Sequence, residues 1–136
     1  HRKDKKQLQV VLSRQEQLAA LYFMYRMAGV DGEFAELEKH AYVKMCAAFA
    51  IAPNDTELIA FIAMGDGVPL QILRNAETKK QDWILGLIII MMMADNKIDD
   101  AELTLVAELA LKIGIPQDRF RRVSEEVIQM HAQSCQ

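Results

Sequence analysis

Two acidic turns constrain the fold of this chain more than any other feature. The first lies in the stretch MAGVDGEFAELE, which begins at Met27, and the second in MADNKIDDAEL, which begins at Met93. At an offset of 64 residues the acids align as Asp31 with Asp95 and Glu38 with Glu102. Apolar residues that match at this offset recur every three to four positions after each turn, which is the spacing of one helix face. The sequence therefore predicts two helix–turn–helix units that repeat one another.

The residue after each turn aspartate explains how the chain can reverse direction there. Gly32 follows Asp31, and Asn96 follows Asp95. Glycine adopts a left-handed backbone without strain and asparagine tolerates it next best, so both residues suit the end of a helix. Helical spacing recurs along most of the chain, and the alternation expected of strands is missing. We therefore predict an all-α fold: a compact bundle of six to eight helices with an internal pseudo-two-fold repeat of helix–turn–helix units.

The chain length of 136 residues predicts one domain, which spans residues 1–136. Residues 1–12 form an extra N-terminal helix or arm in this interpretation. Ser13 and Glu16 have the spacing of a capping box, so we expect a helix to begin there. The apolar run WILGLIIIMMMA, from Trp83 to Ala94, is shorter than the roughly 20 residues of a membrane span. We expect it to form a helix that is buried on all sides.

Capping and breaking residues divide the rest of the chain. Asn54 or Asp55 opens a short helix that ends at Gly65, and Pro69 fits the first turn of the helix after it. Further along, Gly114 ends one helix and Pro116 opens the last one. These signals predict short connections between helices.

Net charge and cysteine content narrow the class of function. A net charge of −3 argues against a nucleic-acid-binding domain, because such domains tend to be strongly basic. Two cysteines are too few for a disulfide-stabilised fold and are typical of a protein in a reducing compartment, so we expect a cytoplasmic protein. We also expect no transmembrane segment. We predict that the basic cluster RFRRV, from Arg119 to Val123, forms a solvated helix face. The alternatives are that it binds an acidic protein partner or associates with a membrane surface.

The acids of the turns have a structural interpretation and a metal-binding one. In the structural interpretation, Glu38 and Glu102 lie in first helical turns, where acids complement the helix dipole. Asp31 and Asp95 fit less well, because each lies near the negative C-terminal end of a helix and favours a counter-charge. An EF-hand is excluded, since the stretch DNKIDDAELTLV ends at Val106, where a calcium loop has Glu.

The stretches AGVDGEFAELE and ADNKIDDAELTLVAELALKIGI resemble the tellurite-resistance TerB-like family, which is similar to the N-terminal domain of a membrane-anchored DnaJ-like co-chaperone. The resemblance covers roughly residues 14–132. It implies an all-helical bundle in which the two acidic turns meet and hold a divalent cation, either calcium or, as the alternative, magnesium. The ligands that it implies are Asp31, Glu38, Asp95 and Glu102, with Glu36 and Asp99 as further candidates. The chain departs from the family motif by two extra residues, Gly29 and Val30, and by Asn96.

Hard-cation chemistry agrees with what the resemblance implies. Four carboxylates brought together repel one another, and a dication with oxygen ligands removes the conflict. No paired His or Cys lies near the turns, which argues against zinc. Together with the repeated acids, the resemblance implies a divalent-cation-binding module that acts as a binding or scaffold domain in a stress response. Its ligands would be a metal ion and a protein partner. We expect no catalytic residues and no enzymatic activity.

Two alternatives stay open at this point. In one, the chain is a purely structural protein-interaction domain whose acidic residues only cap helices. In the other, Asp31 and Glu38 act as acid and base of a metal-dependent hydrolase, which needs an open cleft with free coordination positions.

Overall fold

A computed structural model of the protein describes residues 10–28, 36–94 and 100–134. Within these ranges the chain forms seven helices and no strand, so the predicted all-α class is confirmed. In chain order, the helices are α1 (Arg14–Ala28), α2 (Glu36–Ala48), α3 (Thr56–Met64), α4 (Gly67–Arg74), α5 (Thr78–Met92), α6 (Asp100–Lys112) and α7 (Gln117–Ser134). The residues from Val10 to Ser13 are not helical, and residues 1–9 of the expected N-terminal helix or arm lie outside the described ranges.

Local signals in the sequence set several of these boundaries. The predicted capping box at the start of α1 is confirmed: the Ser13 amide donates to Glu16 Oε1 at 2.8 Å, and the Glu16 amide donates to Ser13 Oγ at 3.1 Å. Asp55 caps α3, because its carboxylate accepts from the amides of Glu57 and Leu58. Gly65 ends α3 with a φ of 91°, a conformation that glycine adopts without strain.

The core is built around α1 and α5. Helix α1 packs against α2, α3, α4, α5 and α6, and α5 packs also against α2, α6 and α7. Leu18 and Leu21 of α1, like Ile84 and Ile88 of α5, are almost fully buried. The methionines that end the apolar run are buried as well, so core packing of this run is confirmed.

The expectation that the apolar run is buried on all sides is wrong. Trp83 is 36% exposed and Ile90 is 47% exposed, although both belong to α5. The reason is that α7 covers α5 on one side only, and an open groove lies beside the two helices. An apolar run can therefore carry one face that its own fold leaves uncovered.

The first hairpin (α1 and α2) and the second hairpin (α5 and α6) have the same dimensions. Adding 64 to the bounds of α1 and α2 gives the bounds of α5 and α6. Both hairpins end in the same way: the Ile51 amide donates to Cys46 O at 2.9 Å, and the Ile115 amide donates to Ala110 O at 2.8 Å. These bonds belong to a Schellman motif, which needs a left-handed residue just before the donor.

None of the helices in the described ranges is, by itself, long and apolar enough to cross a membrane. Helices α3 and α4 pass that test by length and composition only when they are taken together, and they are bent by 104° at the break between them.

Candidate metal site at the two acidic turns

The four predicted metal ligands divide into two that the structure describes and two that it does not. Asp31 and Asp95 lie outside the described residues, as does the further candidate Asp99. Glu38 and Glu102 are each the third residue of a helix, α2 and α6 respectively. The structure therefore gives the position and burial of the two glutamates, whereas the position of the two aspartates in the site stays a prediction.

The two glutamates differ from ordinary surface acids. Glu38 is only 7% exposed and Glu102 is half-buried, while Glu36 at the start of α2 is exposed. Both side chains interact with other groups of the fold. Their place in the first helical turn puts each carboxylate at the positive end of a helix dipole, which stabilises its negative charge. Burial of a carboxylate is costly unless it is compensated, so these two acids are held in defined surroundings.

A complete metal centre is not assembled from the described residues. Across residues 10–28, 36–94 and 100–134, no three side chains of His, Cys, Asp or Glu are grouped so that they could hold a metal ion. A site built on Glu38 and Glu102 would need the turn aspartates as additional ligands.

Helix α1 packs against α5 and α6, the two helices that flank the second turn. Lys80 Nζ lies 3.1 Å from Glu16 Oε1, so α1 and α5 begin close together. Each of these helices has 15 residues and is about 22 Å long at 1.5 Å per residue. At the other end, Met27 from the last turn of α1 and Leu105 from the second turn of α6 line one cleft. Glu108, Leu109 and Lys112 line the same cleft, so the last turn of α1 faces α6 from its second turn to its C-terminal end.

A polar cluster that sequence reasoning missed lies near this region. Tyr22 Oη donates a hydrogen bond to Asp66 Oδ1, and Arg26 Nη1 lies 3.7 Å from the same oxygen. Burial, followed by the contact with Asp66, raises the pKa of Tyr22 to about 12, so the phenol stays a proton donor at neutral pH. In the sequence, Tyr22 stands in the apolar stretch LAALYFMY and Asp66 stands between two glycines, so neither residue is marked as a polar partner of the other. Their meeting depends on how α4 packs on α1.

The cleft beside this cluster is lined by equal numbers of positive and negative side chains. Its volume is about 120 Å³, and its charged lining residues are Arg26, Asp66, Glu108 and Lys112. Two cations balance two carboxylates there, so the cleft has no excess negative charge to attract a metal ion.

The basic cluster RFRRV is only in part the solvated face that the sequence predicts. Arg119 Nε donates to Asp82 Oδ1 at 2.8 Å, and Arg119 Nη2 donates to Gln81 Oε1 at 2.6 Å. Arg122 Nη2 reaches the other oxygen of Asp82 at 3.3 Å, although Arg122 itself is exposed. Arg119 thus joins α7 to α5, and this part of the prediction is wrong because the partner lies 37 residues away in the sequence.

Comparisons of this chain with protein-family models, with curated proteins and with solved structures return no match.

Proposed function

We propose that this chain is a TerB-like helical module that binds a divalent cation between its two acidic turns and acts as a binding or scaffold domain in a stress response. One observation carries the proposal. The two hairpins have the same bounds at an offset of 64, and each places a glutamate at the third residue of its second helix, buried in the case of Glu38 and half-buried in the case of Glu102. The ligand chemistry is that of calcium, with magnesium as the alternative, because the candidate ligands are carboxylate oxygens.

The proposal includes a pseudo-two-fold relation between the hairpins. Glu16 and Lys80 are 64 residues apart and touch, which is expected of corresponding residues that lie beside an axis relating two halves. The last turn of α1, which precedes the first acidic turn, faces α6, which follows the second acidic turn, and this packing supports a shared site. Asp31, Glu38, Asp95 and Glu102 would then supply oxygen ligands from both hairpins.

Calcium titration of the whole chain tests the proposed site. We expect saturable heat in isothermal titration calorimetry and a rise in melting temperature at millimolar calcium, because a ligand that binds only the folded state stabilises it. Asp31→Asn and Asp95→Asn should each weaken binding by roughly tenfold or more, since each removes one formal charge from the ligand set.

The matched control for this experiment is Asp118→Asn. Asp118 also lies in the first turn of a helix, α7, and its neighbour Arg119 binds Asp82 near the start of α5, which is the end of α5 opposite the second acidic turn. It should leave calcium binding unchanged. Absence of heat and of any melting shift at millimolar calcium or magnesium would contradict the metal site.

The second candidate function is a protein-interaction domain whose acids only stabilise helices. It is favoured by the position of Glu38 and Glu102 in first turns, where each already interacts within the fold. In that case added calcium changes nothing, and the aspartate substitutions alter the free energy of unfolding by less than about 1 kcal/mol, because each removes one acid near the negative end of a helix dipole.

A further inference from the structure

A cleft lies between α2 and α3, and we call it the α2/α3 cleft. Its volume is about 400 Å³, which falls within the roughly 300–1,000 Å³ that is usual for small-molecule sites. Apolar and aromatic side chains form most of its wall, and Lys39 is the one charged residue among the lining residues that the structure describes. The walls include Tyr25 from α1, Tyr42 and Val43 from α2, and Ile59 and Ile62 from α3. A mostly apolar, concave wall with few polar groups is typical of a ligand pocket.

The cleft is open because α2 and α3 pack on other helices rather than on each other. In the second half of the chain α6 packs against α7, whereas α2 and α3 make marginal contact at best, since α3 packs against α1 and α4. Val43 of α2 is 44% exposed and Ile59 of α3 is 49% exposed. Each of the two facing helices therefore presents an apolar side chain that solvent reaches.

The first hairpin differs from the second at two residues that line this cleft. At the offset of 64, Tyr25 corresponds to Ile89 and Lys39 to Leu103. Tyr25 is 37% exposed, whereas Ile89 is fully buried. Lys39 is exposed, whereas Leu103 is partly buried against the core. The second hairpin thus has shielded apolar side chains where the first one has an accessible tyrosine and an accessible lysine.

The tyrosine in the cleft is supported by a second ring. The centroids of Tyr25 and Tyr42 lie 5.8 Å apart, and Tyr42 is buried. A ring that already packs against a buried neighbour loses less freedom when a ligand binds, which favours affinity.

The charge of Lys39 is not balanced within the described parts of the chain. None of the ion pairs between residues in 10–28, 36–94 and 100–134 includes Lys39. By contrast, two cations and two carboxylates line the open groove beside α5 and α7. The α2/α3 cleft therefore favours a ligand that combines an apolar body with one negative charge.

We propose that the α2/α3 cleft binds a small amphipathic carboxylate. Its acyl chain would lie along the apolar walls formed by Val43 and Ile59, and its carboxylate would pair with the ammonium group of Lys39, because one cation balances one negative charge. This inference goes beyond the proposed metal site and does not depend on it, since Lys39 is not among the candidate metal ligands.

Isothermal titration calorimetry of the whole chain with octanoate tests the proposal. The buffer contains EDTA, which removes divalent cations, so the result is separate from that of the calcium titration. We expect saturable heat with a dissociation constant below about 1 mM. Octan-1-ol has the same chain length without the charge, and it should bind about fivefold more weakly because it cannot pair with Lys39.

Replacing the lysine tests the role of its charge. Lys39→Met should weaken octanoate binding by about fivefold and leave the binding of octan-1-ol unchanged. Lys44→Met is the matched control, since Lys44 is also an exposed lysine of α2 but does not line the cleft. It should bind both ligands as the unchanged protein does.

Replacing an apolar wall residue tests the position of the acyl chain. Ile59→Glu should weaken the binding of both ligands by roughly tenfold or more, because it puts a charge in the apolar wall. Val68→Glu is its control, since Val68 is 48% exposed and lies on α4 outside the cleft.

Three results would overturn the proposal. They are equal octanoate affinity of Lys39→Met and Lys44→Met, equal affinity of the unchanged protein for the two ligands, and no saturable heat up to about 1 mM octanoate. A second copy of the chain as occupant would show in sedimentation velocity as a dimer that Ile59→Glu dissociates, and this result also overturns a small ligand. A monomer that binds octanoate through Lys39 supports it.

Discussion

A single backbone position distinguishes the ends of the two hairpins. Ala50 has a φ of 57° and Gly114 has a φ of 93°, and each residue is the left-handed residue of a Schellman motif. This conformation costs an ordinary residue about 1–2 kcal/mol, whereas glycine adopts it without strain. The first hairpin therefore carries a strain that the second one avoids.

Exchanging alanine and glycine at these two positions should change stability in opposite directions. We expect Gly114→Ala to lower the free energy of unfolding by about 1 kcal/mol. A Cβ at Gly114 would meet nothing within 4 Å, so this cost is one of backbone strain. Ala50→Gly should raise stability by about 0.5–1 kcal/mol, after subtraction of the extra entropy of glycine in the unfolded chain. Urea unfolding measures both effects.

Ala47→Gly is the control for the substitution at Ala50. Ala47 is an exposed residue within α2, so glycine there should destabilise the protein by about 0.5–1 kcal/mol. If Ala50→Gly destabilises as Ala47→Gly does, the left-handed conformation at Ala50 is contradicted.

Gln81 is a second residue whose role depends on its partners. It is buried, its Nε2 donates to Leu73 O at 2.9 Å and to Ile113 O at 3.0 Å, and its Oε1 accepts from Arg119. One side chain thereby ties the C-terminal ends of α4 and α6, together with α7, to the start of α5.

Replacement of this amide should cost much more than replacement of an exposed one. Gln81→Met keeps the length of the side chain but leaves buried carbonyl oxygens without their donor, so we expect a loss of about 2–4 kcal/mol in the free energy of unfolding. Gln71→Met, at an exposed position of α4, should stay within about 0.5 kcal/mol of the unchanged protein. Similar midpoints of urea unfolding for the two variants would show that the network contributes little.

At the scale of the elements, the start of α1 combines a helix cap with a contact to α5. Burial acts to raise the pKa of Glu16, but the hydrogen bond from the Ser13 amide and the nearby Lys80 outweigh it, so the pKa is lowered. A carboxyl group whose pKa is lower in the folded state stabilises the fold above its unfolded pKa of about 4.3 and loses that effect as the pH falls further.

The pH dependence of stability should therefore change when Glu16 is replaced. We expect Glu16→Gln to lower the melting temperature at neutral pH and to flatten its decline below a pH of about 4.3. Glu125→Gln, an exposed position of α7, serves as the control and should keep the steep decline. A Glu16→Gln profile that runs parallel to that of the unchanged protein would rule out this linkage.

At the scale of the whole molecule, the sequence predicts those features of the fold that depend on residues close together in the chain. The capping box at Ser13 and the left-handed glycines at Gly65 and Gly114 mark helix ends correctly, because their effects act within a few residues. The offset of 64 also predicts two hairpins of equal length. These features need no knowledge of which helices pack together.

What the sequence misses are contacts between distant elements. Arg119 binds Asp82 from another helix, and Tyr22 meets Asp66 only because α4 packs on α1. The exposure of Trp83 and Ile90 could not be predicted either, because helical spacing shows that a helix face is apolar but does not show which other helix covers it. Of the candidate metal site, the two glutamates are seen in first helical turns, whereas convergence with Asp31 and Asp95 stays a prediction.

The Glu16–Lys80 pair has a consequence for any origin of this fold in two identical halves. In a symmetric dimer of identical chains, a residue beside the dyad faces its own copy and therefore meets the same charge. Here the two corresponding positions hold an acid and a base 3.1 Å apart. A homodimer of the first half would set Glu against Glu, and one of the second half Lys against Lys. The attraction therefore exists only because the two halves differ in sequence at this position, which identical halves could not do.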